Sequence, residues 1–140
     1  MDRIRRDESG LTLIECLVTV VIMGLAFVAL LGGLGTSIFA SDIHRKQATA
    51  ETVLRTFAEH VKTETYVPCA TTASYGTTFA SESGYTASVT AVEWWNATSG
   101  AFDATACTTA TDPGLHRVTL RVKSSDDRAT ETVQIAKREP

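Results

Sequence analysis

The residues best placed to do chemistry lie in the run Gly10-Leu11-Thr12-Leu13-Ile14-Glu15. Glu15 is a carboxylate at the start of an apolar stretch, and from Leu11 to Ala40 it is the only charge. An ionised carboxylate in hydrocarbon is costly, so such a residue asks for a partner or a function. Gly10 matters for a different reason. An ordinary secretory signal is cut after its apolar segment, which is then lost. Here the small residue precedes that segment, so a cut after Gly10 leaves a new amine on Leu11 and keeps the whole helix. The leader, Met1 to Ser9, carries Arg3, Arg5 and Arg6 balanced by three acids, and its loss leaves the net charge at -3.

No catalytic constellation accompanies these residues. His44, His60 and His116 are scattered, and each reads as a surface or helix-face residue rather than a ligand or base. There is no Gly-x-Ser-x-Gly elbow, no phosphate loop and no Cys-x-x-Cys pair. The expectation is a chain that is not an enzyme and uses no cofactor, metal or small-molecule substrate. Asp126-Asp127 is read more simply as a hairpin turn than as a calcium site, and Asn96-Ala97-Thr98 is a formal but weak glycosylation sequon. Trp94 and Trp95 are contact candidates. Adjacent strand residues point to opposite faces, so one tryptophan is expected on the helix and the other either exposed to a neighbour or covered by a loop.

The elements that position these residues follow from periodicity. Thirty helical residues from Leu11 to Ala40 would span about 45 Å against about 30 Å of bilayer hydrocarbon, enough to cross and emerge. The arginines before the span favour a cytoplasmic N-terminus, although His44, Arg45 and Lys46 on the far side weaken that argument. Gly24, Gly32, Gly33 and Gly35 mark either a weak point in the helix or a close-packing face. Beyond Ser41 the pattern changes to one apolar stripe: Ala50, Val53, Leu54, Phe57, Ala58 and Val61, with charged residues between them. A single helix is expected from Leu11 to about Glu64, ending before Pro68.

Residues 69–84, rich in Thr, Ala, Ser and Gly, read as a loop with or without one short strand, and 96–114 as another loop containing Cys107. Tyr85 to Trp95 reads as a strand with Tyr85, Ala87, Val89 and Ala91 on one face, and its alternation slips after Ala91, suggesting a bulge. His116 to Lys123 alternates, with Val118, Leu120 and Val122 inward. Ala129 to Lys137 makes a last strand with Val133 and Ile135 inward. The expected fold is α+β: one long helix whose second half packs on an antiparallel meander of three or four strands. Its organisation is a leader (1–10), a transmembrane helix (11–40) and an external domain (41–140), the last divided into an amphipathic helix (41–65) and a sheet region (69–138). Cys69 and Cys107 lie in that external part, where oxidation is permitted. A bridge between them would contribute about 4 kcal/mol by the loop-entropy model; two unpaired small residues are the alternative. Cys16 lies inside the span, too deep to pair with either, and none of the three has metal-ligand spacing.

Gly10, Thr12, Leu13 and Glu15 match the Gly-Phe-Thr-Leu-x-Glu signal of the type IV pilin family, with Leu11 in place of the commoner phenylalanine. The chain resembles that family over its first thirty or so residues. The resemblance implies a pilin-like fold and cleavage between Gly10 and Leu11 by a prepilin peptidase at the cytoplasmic face, followed by N-methylation of Leu11. It also implies that Glu15 is the assembly residue, paired with the Leu11 amine of an adjacent subunit. The partners implied are the peptidase, other pilin subunits, the pilus or secretion assembly machinery, and the membrane. A minor pilin or pseudopilin in a pilus, competence or secretion machine is the reading favoured. The alternative is a membrane-tethered module that captures DNA, a surface or another protein, although a slightly acidic chain argues against nucleic acid as a main partner.

Overall fold

The computed structural model describes residues 12–104, 107, 108 and 112–140. The chain divides into two units, residues 1–41 and 42–140, taken here in turn. One helix, α1 (Leu13–Thr63), contributes to both.

In the first unit α1 begins immediately after Thr12, whose carbonyl accepts the amides of Glu15 and Cys16 at 3.0 and 3.2 Å. Thr12 and Glu15 have the Thr-x-x-Glu spacing of a capping box, and an acid in the first turn complements the positive end of the helix dipole. Leu13, Ile22, Phe27, Leu30 and Phe39 all stand open, and the stretch is long and apolar enough to cross a membrane.

In the second unit α1 lays its stripe on a sheet. Ala50, Val53, Leu54, Phe57, Ala58 and Val61 are all buried, as their three- and four-residue spacing requires. The sheet comprises β1 (Tyr85–Asn96), β2 (Ala101–Asp103), β3 (Leu115–Ser124) and β4 (Thr130–Arg138), all antiparallel in the order β2-β1-β3-β4. Val118, Leu120 and Val122 of β3 are fully buried and share the core with Val92, Ile135 and Tyr75. The expected α+β, pilin-like architecture is the one observed.

Several details differ from expectation. The segment after Asn96 is not all loop: β2 returns along β1, with Trp95 opposite Phe102. The bulge falls one position early. Val89 pairs with Leu120 and Ala91 with Thr119, so Thr90 is the extra residue. Ala91 is thereby turned off the face it was expected to share with Tyr85, Ala87 and Val89, and Val92 takes the core position instead.

The end of α1 is fixed from a distance. The Lys137 ammonium, buried on β4, donates to the carbonyls of Val61 (2.8 Å), Lys62 (3.3 Å) and Glu64 (2.5 Å). These are among the carbonyls a helix C-terminus leaves without intrahelical donors. Desolvation pushes the Lys137 pKa down. Beside it, Gly76 (φ +74) packs so tightly that an added Cβ would lie 2.6 Å from Cε2 of Phe57.

Candidate functional site

The signal residues fall at the start of α1. Glu15 is exposed in the first turn, its own backbone carbonyl accepting the Thr19 hydroxyl at 2.7 Å. Among the described residues its carboxylate has no ion-pair partner. Gly10 and Leu11, the expected cleavage and methylation positions, lie outside the described residues. Glu15 follows Leu11 by four positions in the sequence, the offset of about one turn of an α-helix. Cys16 is a free, exposed thiol.

The second cluster is buried in the second unit. Cys69 and Cys107 form a disulfide, which closes the chain across a separation of 38 residues. Beside it Asp112 collects four donors: Tyr66 Oη–H (2.7 Å), the amides of Cys69 (2.7 Å) and Gly114 (2.9 Å), and His116 Nε2 (3.1 Å). Because Tyr66 gives its proton to Asp112, its oxygen is left to accept from His116 Nε2 at 2.7 Å. That assignment places the histidine proton on Nε2. Burial acts to raise the Asp112 pKa, but the four donors outweigh it and hold the group down at about 2. Burial and the neighbouring carboxylate push the Tyr66 hydroxyl well above its ordinary range.

An aspartate, a histidine and a tyrosine in contact have the residue types of a catalytic group, but they are closed in: the His116 side chain is 0% exposed and that of Asp112 4%. This corrects the expectation of a surface histidine. His116 shares the inward parity of Val118, Leu120 and Val122, a signal present in the sequence, while His44 is exposed and His60 half-buried on α1. Ligand atoms of Cys69, Cys107 and Asp112 lie within 4.8 Å of one another. With the sulfurs joined to each other and the carboxylate's lone pairs occupied, the group offers a cation no free ligand.

The tryptophans divide as strand geometry requires. Trp94 turns inward and meets His116 edge-on at 6.3 Å between ring centroids. Trp95, on the outer face, packs edge-on against Phe102 at 5.3 Å. The Arg117 guanidinium stacks 4.7 Å from the centre of the Phe102 ring and holds Glu93 through two 2.8 Å bonds. Trp95 is therefore half-covered by a β2 residue rather than open. Asp126 and Asp127 form the β3–β4 turn: the Asp127 amide (φ 61) donates to Ser124, and Asp126 is bound by Lys46 and by the Ser124 hydroxyl.

Residues 5–31 match the family model described as the prokaryotic N-terminal methylation motif. Comparison with curated proteins and with solved structures yields no match.

Proposed function

From a chain that carries the type IV pilin signal at residues 5–31, we propose a structural subunit, a minor pilin or pseudopilin, of a type IV pilus-like filament. The chain is first a substrate. Prepilin peptidase cuts between Gly10 and Leu11 at the cytoplasmic face, and the Leu11 amine is methylated. Residues 13–41 hold the subunit in the membrane, with the second unit on the opposite side, where the disulfide is stable. The chain itself carries out no reaction.

The observation that carries this reading is the coincidence of the methylation motif with an open apolar helix whose one charge, Glu15, has no partner among the described residues. A carboxylate among packed helices becomes tolerable when it meets a cation. The Leu11 amine of a neighbouring copy, staggered by about one turn, supplies that cation and sets the register at the same time. Glu15→Ala should leave cleavage and insertion intact while sharply reducing incorporation into filaments. Incorporation at the wild-type level, scored in sheared filament fractions, removes Glu15 from the role.

A further inference from the structure

The buried cluster beside the disulfide brings together a donor set that is closed to a cation only while the sulfurs are joined. Ligand atoms of Cys69, Cys107 and Asp112 lie within 4.8 Å of one another, although the two cysteines are 38 residues apart. His116 Nε2 stands 3.1 Å from Asp112 Oδ2, and these two side chains are 0% and 4% exposed. Two sulfurs, a carboxylate and an imidazole thus converge on one small volume. Around a tetrahedral zinc ion such atoms lie about 3.3–3.8 Å apart, so shifts on the order of 1 Å complete the set.

Two features close the cluster: the bond between the sulfurs and the proton on His116 Nε2. Both are reversible. Every copy passes through a dithiol state, because the sulfurs are joined only after the chain is made. In that state each thiol can lose its proton and become a ligand. His116 Nδ1 is buried and has no hydrogen-bond partner among the described residues. The imidazole proton is therefore free to move to Nδ1, which leaves the Nε2 lone pair to bind and relieves Asp112 Oδ2 of one donor. Tyr66 Oη–H and the Gly114 amide stay on Asp112 Oδ1 and orient the carboxylate, as outer donors do around ligating groups.

We propose that the dithiol form of the chain binds one zinc ion through Cys69 Sγ, Cys107 Sγ, the Asp112 carboxylate and His116 Nε2. Two thiolates with an imidazole select zinc over calcium or magnesium, which prefer all-oxygen ligands. Binding releases two protons, one from each thiol. The ion gathers ligands from distant parts of the chain before the disulfide exists, so it supports the folded form at that stage. When a disulfide-bearing oxidant closes the bond, the two thiolates give up two electrons. The oxidant becomes a dithiol with two protons from solvent, and the ion leaves. This site goes beyond the filament role and does not depend on it.

The test uses the full chain with Cys16→Ser in non-ionic detergent, so that Cys69 and Cys107 are the only thiols. A phosphine reductant opens the bond, and the oxidised chain is the control. Zinc alone, titrated against a chromophoric chelator, binds the reduced chain at one ion per chain and leaves the oxidised chain unloaded. Cobalt in place of zinc gives thiolate-to-metal charge-transfer absorption and the strong visible bands of a four-coordinate ion. Zinc also slows alkylation of both cysteines by iodoacetamide, and a chelator restores the rate. Asp112→Asn weakens zinc binding about tenfold or more, whereas Asp126→Asn, in the β3–β4 turn, leaves it unchanged. The proposal is overturned if the oxidised and reduced chains bind zinc equally, or if the reduced chain shows no saturable binding. A six-coordinate cobalt spectrum, or wild-type zinc affinity in Asp112→Asn, overturns it as well.

Discussion

Residues 13–41 and 42–63 of α1 share one backbone geometry and treat their side chains oppositely. In the earlier stretch Phe27 and Leu30 are 68% and 66% exposed; in the later one Phe57 and Val61 are 1% and 0%. The later stretch finds within its own chain everything it needs: a sheet for its stripe, Lys137 for its last carbonyls, and Glu64 to fix the Gly76 amide. The earlier stretch finds neither a cover for its apolar surface nor a cation for Glu15 among the described residues. A helix segment so incomplete on its own implies partners outside the chain, first lipid and then other copies. The comparison separates the part of α1 that makes a fold from the part that makes an assembly.

The comparison breaks most readily at paired phenylalanines. Phe57→Ala should cost about 3–5 kcal/mol, because it leaves a cavity against Gly76 and the sheet. Phe27→Ala should leave the denaturant midpoint of the second unit unchanged. Equal effects would mean that the two stretches are not energetically distinct. Opening the disulfide, by Cys69→Ser with Cys107→Ser, comes next, with an expected loss of about 4 kcal/mol in chemical denaturation. The same loss on replacing Cys16 would contradict its reading as a free thiol outside the folded unit.

A pH series sharpens the picture of the buried cluster. Asp112 has a folded pKa of about 2 against an ordinary value of 3.8, so its contribution is complete above about 3.8 and is lost as pH falls toward 2. The difference corresponds to about 2 kcal/mol. Asp112→Asn should flatten that part of the stability profile, as followed by urea unfolding at each pH. The smallest effect belongs to the Lys46–Asp126 pair, which joins α1 to the β3–β4 turn at a partly exposed site. Lys46→Ala should lower stability only slightly, and less at high salt.

Local pattern carried much of this structure. All six residues of the α1 stripe are buried, and so are the alternating valines and leucine of β3, because burial there follows from a period of 3.6 or 2. Polar residues in the same registers were harder to read. His116 and Lys137 carry the inward parity of their strands, yet their burial depends on partners outside those strands, Tyr66 and Asp112 for one and the end of α1 for the other. Asp112 is only 4 residues from His116 but lies before β3 begins, while Tyr66 and Val61 are 50 and 76 residues from the groups they meet, so no window over a single strand reveals them. The three-residue β2 was too short to show a period, and the bulge at Thr90 moved a face that alternation alone would have continued. The assembly signal was the reverse case. It is a compact string of residue types at the N-terminus, legible in sequence, whose purpose lies outside the single chain.

The central claim is that Gly10 and Glu15 act together, the cut after one creating the amine that the other meets. Intact-mass measurement of the chain purified from its native membrane tests this most directly. The expected species begins at Leu11 and carries one added methyl group on its amine. A chain that retains residues 1–10, or one that begins beyond Glu15, would contradict the account.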